Sequence, residues 1–183
     1  QIGEPLTGGA IGKVIKSAHP DFKEGDFVYS HWGWRDGFTA RAEGIERLGE
    51  IVAPASEYLG AIGMPGMTAY AGLLEVGALK DGETVFVSGA AGAVGSIVGQ
   101  IAKLKNCHVI GSAGNDEKVE LLTKELGFDS AFNYNDGNLL GHLRELAPEG
   151  IDVYFDNVGA EHLEAALMCC LLYTSDAADD VLC

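Results

Sequence analysis

The sequence has 183 residues, of which 47% are hydrophobic and 21% are charged, and its net charge at pH 7 is −15. A chain of this composition can bury a sizeable core, which excludes a disordered segment, and no apolar run reaches the roughly 18–20 residues of a membrane-spanning helix. The negative charge argues against binding to a phosphate backbone, so we expect a soluble protein that has neither a membrane nor a nucleic acid as partner.

Cysteine and histidine spacing predicts no metal site. The four cysteines and five histidines include no C-x-x-C or H-x-x-x-H pair, although such spacings are typical of zinc ligands. A disulfide framework is not indicated either. We therefore interpret the cysteines as reduced thiols that behave as small hydrophobic side chains.

The first part of the chain has the pattern of short strands and turns. Within residues 8–40, the turn signal Glu24-Gly25-Asp26 precedes a run rich in valine, phenylalanine and tyrosine, which is typical of β-structure. Trp32 and Trp34 are two residues apart, so we expect them to share one face of a strand. We interpret both as core residues and assign them no functional role.

A polar, helix-tolerant connection follows and leads to a helix that is predicted to begin after Pro65-Gly66 and to end at Gly77. After this helix, strand and helix patterns alternate with the spacing of parallel βαβ units. The predicted strands cover residues 84–88, 108–112, 130–133 and 152–155. The predicted helices lie near residues 94–105, 116–126, 138–147 and 161–168.

This alternation predicts an α/β fold, with an incomplete, doubly wound parallel sheet of strand order 3-2-1-4. We predict a β-rich region with its connection over residues 1–60, a nucleotide-binding domain over 61–169 and a non-native tail over 170–183. The stretch CLLYTSDAADD in this tail fits no element and resembles the in-frame translation of a sequencing-library adapter. The alternative is an acidic tail that belongs to the protein.

A glycine-rich turn, Ala91-Gly92-Ala93-Val94-Gly95, joins the first strand of this alternation to its helix. The unpaired N–H groups and the positive dipole end of the helix favour a pyrophosphate at this point. Gly92 allows the backbone to approach the phosphates, and Gly95 and Gly99 allow the helix to lie close to the sheet. Because the glycine spacing differs from G-x-G-x-x-G, a tight corner without a ligand is an equal alternative on the motif alone.

The helix after this turn has apolar residues at spacings that predict one buried face. They are Val94, Ile97, Val98, Ile101 and Leu104.

The end of the second strand favours NADP(H) over NAD(H). An NAD site usually has an acid there that binds the ribose, whereas residues 112–114 are serine, alanine and glycine. No carboxylate at this point repels a 2′-phosphate, and Lys118 in the next helix offers a positive charge. The alternative is that residues 116–118 are simply a solvated helix start.

Residues 63–134 and the stretch GIDVYFDNVG at 150–159 resemble the zinc-independent medium-chain dehydrogenases/reductases. Within this family, the chain resembles the subgroup that contains the prostaglandin reductases, the 2-alkenal (double-bond) reductases and the curcumin-reductase-like enzymes. Motifs such as GMPGMTAY and VSGAAGAVG occur in the family's order, and the resemblance covers about residues 8–168. The stretch GDFVYSHWGWRDGFTA is similar to the family's GroES-like substrate domain, although Gly37 stands where the subgroup often has an aromatic residue. The resemblance implies a partial GroES-like domain before an incomplete Rossmann domain.

The resemblance also implies NADPH as the cofactor and assigns residues to its parts. Lys118 and Tyr134 would surround the adenosine 2′-phosphate, and Asn157, Met64 and Thr68 would lie at the nicotinamide. The pyrophosphate would bind at Gly92, Ala93, Val94 and Gly95. On the sequence alone, Tyr134 has the alternative of a partly buried loop tyrosine and Asn157 that of a turn residue.

The implied reaction reduces the C=C bond of α,β-unsaturated carbonyls by hydride transfer from NADPH to the β-carbon and protonation at the α-carbon. No metal is expected, because the β-rich segment contains no cysteine and His31 alone cannot hold zinc. We predict no catalytic residue. Because the family's site-closing residues would follow this segment, we expect the chain itself to be weakly active or inactive.

Alternatives to this function stay open. A non-catalytic NADPH-binding relative, such as a redox sensor or a crystallin-like protein, has the same fold. A quinone reductase of the same superfamily is another alternative, whereas a zinc alcohol dehydrogenase is disfavoured. The resemblance leads us to expect a cytoplasmic homodimer with a small-molecule substrate, but alkenals, prostaglandin-type ketones, curcuminoids and quinones are not distinguished.

Overall fold

The computed structural model of the chain describes residue 3 and residues 6–170. It divides into two compact units, residues 1–64 and 65–183, and each unit is described by itself below. Apart from Cys170, the tail predicted for residues 170–183 lies outside the described residues. Cys170 is buried and forms a parallel bridge with Ile151.

The first unit contains a three-stranded antiparallel sheet in the order β1-β2-β3. The strands are β1 (Ala10–Lys13), β2 (Phe27–Ser30) and β3 (Ile45–Arg47). A 3-10 helix follows at Ala55–Leu59. β3 lies inside the connection that the sequence indicated to be helix-tolerant, so that interpretation is wrong there. A three-residue strand is too short for alternation to be recognised, and its pairing with β2 is what stabilises it.

The prediction that Trp32 and Trp34 belong to a buried strand face is wrong. β2 ends at Ser30, and the two side chains are 46% and 63% exposed. Gly33 between them has a φ of +83°, which breaks the extended backbone on which an alternation of faces depends. Trp32 instead stacks on the ring of Phe38, with ring centroids 5.8 Å apart.

The helix at the start of the second unit begins earlier than predicted. α1 (Met64–Tyr70) continues directly into a π-helix, Ala71–Val76, and Gly77 ends it as predicted. Pro65 therefore lies in the first helical turn rather than before it. A proline is tolerated in that turn because its missing N–H would have no intrahelical acceptor.

The remainder of the second unit alternates strands and helices as predicted. Its four-stranded parallel sheet has the order β6-β5-β4-β7, which confirms the predicted order 3-2-1-4. The strands are β4 (Thr84–Val87), β5 (His108–Ala113), β6 (Ser130–Asn133) and β7 (Val153–Phe155). The helices are α2 (Ala93–Leu104), α3 (Asp116–Lys124), α4 (Leu139–Leu146) and α5 (Glu161–Leu167).

Both faces of this sheet are covered. Successive side chains of a strand point to opposite faces, so Val85 and Val87 join a cluster that contains Val98 of α2, while Phe86 joins another. The cluster around Phe86 includes Leu143 of α4 and residues of α5. Burial on both sides explains why β4 and β7 are nearly continuous apolar runs.

The predicted apolar face of α2 is only partly right. Val98 is fully buried, but Leu104 is 85% exposed. A helix turns by about 100° per residue, so Leu104 is rotated by about 120° from Val98 and leaves the sheet. Gly99 does lie close to the core, since a Cβ at this position would collide with the ring of Phe128.

Candidate functional site

In the structure the glycine-rich turn occupies residues 88–92, between β4 and α2, and lies at the carboxyl ends of the central strands. The N–H of Ser88 donates to the carbonyl of Phe155 at 3.2 Å, and the N–H of Ala90 donates to the carbonyl of Ser112 at 2.9 Å. The turn is therefore attached to both strands that flank β4. Between these anchors Gly89 has a φ of +57°, a conformation that favours glycine. Ligands of doubly wound sheets bind at this edge.

α2 begins directly at this turn, with Gly92 as its N-cap. The N–H of Gly92 donates to the carbonyl of Gly89, and its own carbonyl accepts from the N–H of Ser96, both at 3.0 Å. The N–H groups in the first turn of a helix have no intrahelical acceptor. In α2 these are the N–H groups of residues 93–95. Together with the helix dipole, they offer an anion a set of oriented donors.

Gly95 allows the turn and the helix to approach each other. A Cβ on Gly95 would lie 2.8 Å from both the Cα of Ala90 and the carbonyl oxygen of Gly89. Both atoms belong to the backbone, so neither can move away by a side-chain rotation. The close approach that the sequence predicted for Gly95 is therefore present, and it keeps the first turn of α2 against the glycine-rich turn.

No acidic side chain occupies the end of β5. The hydroxyl of Tyr134 covers Gly114 so closely that a Cβ there would lie 2.8 Å from it. The side-chain amide of Asn135 donates to the carbonyl of Gly114 at 2.7 Å. Tyr134 also packs its ring edge-on against His162, with centroids 5.1 Å apart. Tyr134 thus stands beside the position at which an NAD site usually has its carboxylate.

Lys118 lies in the first turn of α3, close in sequence to Gly114. The backbone N–H of Lys118 donates to the side-chain oxygen of Asn115, the N-cap residue, at 2.9 Å. Its side chain is exposed. Asp116 and Glu117 precede it in the same turn, so the local charge is mixed. A role in cofactor binding for Lys118 and Tyr134 stays a prediction.

Asn157 is held directly beside the glycine-rich turn. Its backbone N–H donates to the hydroxyl of Ser88 and its side-chain amide donates to the carbonyl of Ser88, both at 2.9 Å. A Cβ on Gly89 would lie 3.5 Å from the Cβ of Asn157. The residue itself is exposed. Its side-chain amide is therefore held by Ser88 and is still accessible to a ligand.

A polar cluster, in which Ser88 and Tyr154 are buried and Asp156 is exposed, supports this part of the edge. One carboxylate oxygen of Asp156 accepts from the hydroxyls of Tyr154 and Ser88 at 2.6 and 3.0 Å. It also accepts the N–H groups of Val158 and Gly159 at 2.9 and 2.7 Å. The cluster therefore closes the turn that carries Asn157.

Hydrogen bonding determines the charge state of this cluster. Burial alone would raise the pKa of Asp156, but the bonds from Tyr154, from two backbone N–H groups and from Ser88 outweigh it and hold this pKa below its usual value. Burial, and then the bond to Asp156, raise the pKa of Tyr154. The pair is thus an ionised carboxylate and a neutral phenol. No sequence motif predicts this cluster, although its acid lies in the stretch FDNVG.

His162, on α5, lies under the same edge. It is 5% exposed, its Nε2 has no hydrogen-bond partner, and its ring lies parallel to that of Phe86. Burial lowers its pKa, which the nearby Asp156 and Glu161 partly oppose. The ring is therefore a neutral packing surface for Tyr134.

Met64 and Thr68, predicted to lie at the nicotinamide, are both on α1 and both exposed. Met64 belongs to the first compact unit and Thr68 to the second. Their assignment to the cofactor therefore stays a prediction.

Among the described residues, no group of three histidine, cysteine or acidic side chains is arranged to hold a metal ion. His31 instead shares a hydrogen bond with the hydroxyl of Tyr29, at 3.2 Å. No helix within residues 6–170 is both long enough and apolar enough to cross a membrane. The arrangement that the second unit does offer is a set of open helix amides with an exposed asparagine amide beside it.

Two family models match the chain. The model described as zinc-binding dehydrogenase matches residues 93–171, which run from the start of α2 through β5, β6 and β7. The model described as the N-terminal domain of oxidoreductase matches residues 1–48.

Three similar proteins illustrate the relationship. A 2-alkenal reductase (NADP(+)-dependent) from Nicotiana tabacum is 47% identical over 93% of this chain and 50% of its own. Prostaglandin reductase 1 from Mus musculus is 47% identical over 91% of this chain and 51% of its own. The crystal structure of CurA from Vibrio vulnificus in complex with NADPH is 41% identical, covers 90% of this chain and 49% of that one, and has a TM-score of 0.81.

The chain thus spans about half the length of the relatives that it matches. The similarity nevertheless runs through both units and agrees with the fold, the strand order and the glycine-rich turn. The chain belongs to the medium-chain dehydrogenase/reductase family and is related to its NADP-dependent reductases.

Proposed function

We propose that the protein is an NADPH-dependent reductase of the C=C bond in α,β-unsaturated carbonyl compounds. The observation that carries this proposal is the 47% identity to a 2-alkenal reductase across 93% of the chain. The edge of the parallel sheet supports it, because open amides at the start of α2 and an end of β5 without a carboxylate suit a nucleotide that carries a 2′-phosphate.

The residues at this edge fit NADPH. Gly95 lets the first turn of α2 lie against Gly89 and Ala90, where a Cβ would collide with their backbone, and the amides of Ala93 and Val94 hold the pyrophosphate. Lys118 and Tyr134 bind the 2′-phosphate. Asn157, with Met64 and Thr68, faces the nicotinamide. The bound cofactor supplies the hydride that reaches the β-carbon of the substrate.

The remaining parts of the proposal rest on the family resemblance. The enzyme works without zinc, as a homodimer in the cytoplasm, and its partner is a small unsaturated carbonyl substrate. The protein's own contribution to the reaction is to orient the donor carbon and the alkene and to exclude water between them. A quinone reductase or a non-catalytic NADPH-binding protein is the alternative.

The test is oxidation of NADPH by the protein that contains this chain, with an enal, an enone and a quinone offered separately. We expect turnover with the enal or enone, faster with NADPH than with NADH, and unchanged by a zinc chelator. Saturable NADPH binding without turnover of any of the three would support the non-catalytic alternative, and turnover of the quinone alone would support a quinone reductase.

Replacing Lys118 by alanine should weaken NADPH binding far more than NADH binding. The lost contact is charge-assisted, so we expect a loss on the order of 1–3 kcal/mol for NADPH. Lys124→Ala is the matched control, because Lys124 lies in the same helix and pairs with Glu120 at 2.9 Å. Titration of each variant with both cofactors measures the difference. Equal losses for NADPH and NADH would contradict the role given to Lys118.

A further inference from the structure

We propose that Ser88 is a positioning residue whose hydroxyl fixes the turn of residues 156–159, so that the amide of Asn157 is presented to the nicotinamide. This inference rests on the proposed function, since it concerns the same cofactor. It assigns a role to a residue that has no exposed surface and therefore touches no ligand itself.

The hydroxyl of Ser88 has a complete set of partners. Its oxygen lies 3.0 Å from the carboxylate of Asp156, 3.1 Å from the hydroxyl of Tyr154 and 2.9 Å from the N–H of Asn157. The carboxylate has no proton, so Ser88 donates to Asp156 and accepts from Asn157. The proton of Tyr154 points to its nearer acceptor, Asp156, at 2.6 Å.

The partners of Ser88 leave Asn157 little freedom. The backbone of Asn157 is held by the hydroxyl of Ser88, and its side-chain amide is held by the carbonyl of the same residue. Asp156 accepts the next two N–H groups of the turn. Ser88 therefore connects the end of β4, where the glycine-rich turn begins, to the one exposed amide side chain of the turn after β7.

Loss of this hydroxyl should affect the two ends of the cofactor differently. The backbone N–H groups that attach the glycine-rich turn belong to Ser88 and Ala90 and bond to neighbouring strands. A Ser88→Ala substitution leaves both bonds intact, so the amides at the start of α2 keep their positions. It removes the acceptor of the Asn157 N–H, so the turn after β7 is the part that shifts.

The experiment compares NADPH with adenosine 2′,5′-bisphosphate, which has the 2′-phosphate but no nicotinamide. In the 183-residue chain, Ser88→Ala should weaken NADPH binding roughly 3- to 10-fold, the effect of one net hydrogen bond, and leave bisphosphate binding unchanged. Ser112→Ala is the matched control. Ser112 is equally buried, at the end of the neighbouring strand, but its hydroxyl has no hydrogen-bond partner, so both affinities should stay as in the wild type.

A double-mutant cycle tests whether Ser88 acts through Asn157. On an Asn157→Ala background, Ser88→Ala should cause no further loss of NADPH affinity. Additive losses, or equal losses for both ligands, would overturn the positioning role. The positioning role would also be overturned if the wild type bound NADPH no more tightly than the bisphosphate. A wild type that binds neither ligand would instead count against the proposed function.

Discussion

Replacing Gly95 by alanine is expected to lower NADPH affinity by roughly 10- to 150-fold, which corresponds to the loss of one charge-assisted hydrogen bond of about 1.5–3 kcal/mol. The added Cβ would lie 2.8 Å from backbone atoms of Gly89 and Ala90. Because neither atom belongs to a flexible side chain, the turn and the first turn of α2 must move apart. The amides of residues 93–95 then no longer converge on one pyrophosphate.

The same substitution should also destabilise the second unit, because overpacking of a close contact costs about 1–3 kcal/mol. Gly12→Ala is the control, since a Cβ at Gly12 would meet only a methyl group of Val28, at 4.0 Å. Calorimetric titration with NADPH, together with circular dichroism to confirm folding, measures both effects. A folded Gly95→Ala variant with wild-type affinity would mean that the pyrophosphate binds elsewhere.

Much of the second unit could be predicted because its signals are local. The alternation of strands and helices sets the crossover lengths, and parallel strands with right-handed crossovers permit few strand orders. The strand order 3-2-1-4 could therefore be predicted from the sequence. The glycine-rich turn was recognisable for the same reason, since Gly92 stands between a strand and a helix that are themselves recognisable, and Gly95 lies in the first turn of that helix.

Other parts depended on contacts that no short stretch contains. Ser88 lies 68 residues before Asp156, with which it shares a hydrogen bond, and nothing in the sequence near β4 indicates that the serine directly after this strand anchors a distant turn. Trp32 and Trp34 were misjudged because a single glycine between them changed the direction of the backbone. Leu104 was misjudged because a ten-residue spacing drifts away from the buried face of a helix.

The candidate cofactor site was predictable in part. The sequence excluded an acid at the end of β5, but it did not reveal how Tyr134 reaches that point. The structure shows that the hydroxyl of Tyr134 rests on Gly114, where any larger residue would collide with it. Glycine at position 114 therefore leaves no carboxylate at the end of β5, and it makes room for the tyrosine that directly follows β6.

Two helical leucines of the second unit that differ widely in burial should respond very differently to alanine. Leu122 is fully buried in the cluster beside α2, whereas Leu104 is 85% exposed. Leu122→Ala should cost about 2–5 kcal/mol of unfolding free energy, from lost burial and the cavity that remains. Leu104→Ala should change this free energy by less than about 0.5 kcal/mol, because the site is on the surface and alanine favours a helix.

Urea unfolding followed by far-ultraviolet circular dichroism can measure this difference in the second unit, because every α-helix among the described residues begins at Met64 or later. The comparison is well controlled, since both variants remove the same atoms from a helix of the same unit. The two leucines also distinguish the sequence pattern from the structure. The pattern treats Leu104 as a core residue, so equal losses for the two variants would mean that α2 buries the face that its apolar spacing first predicted.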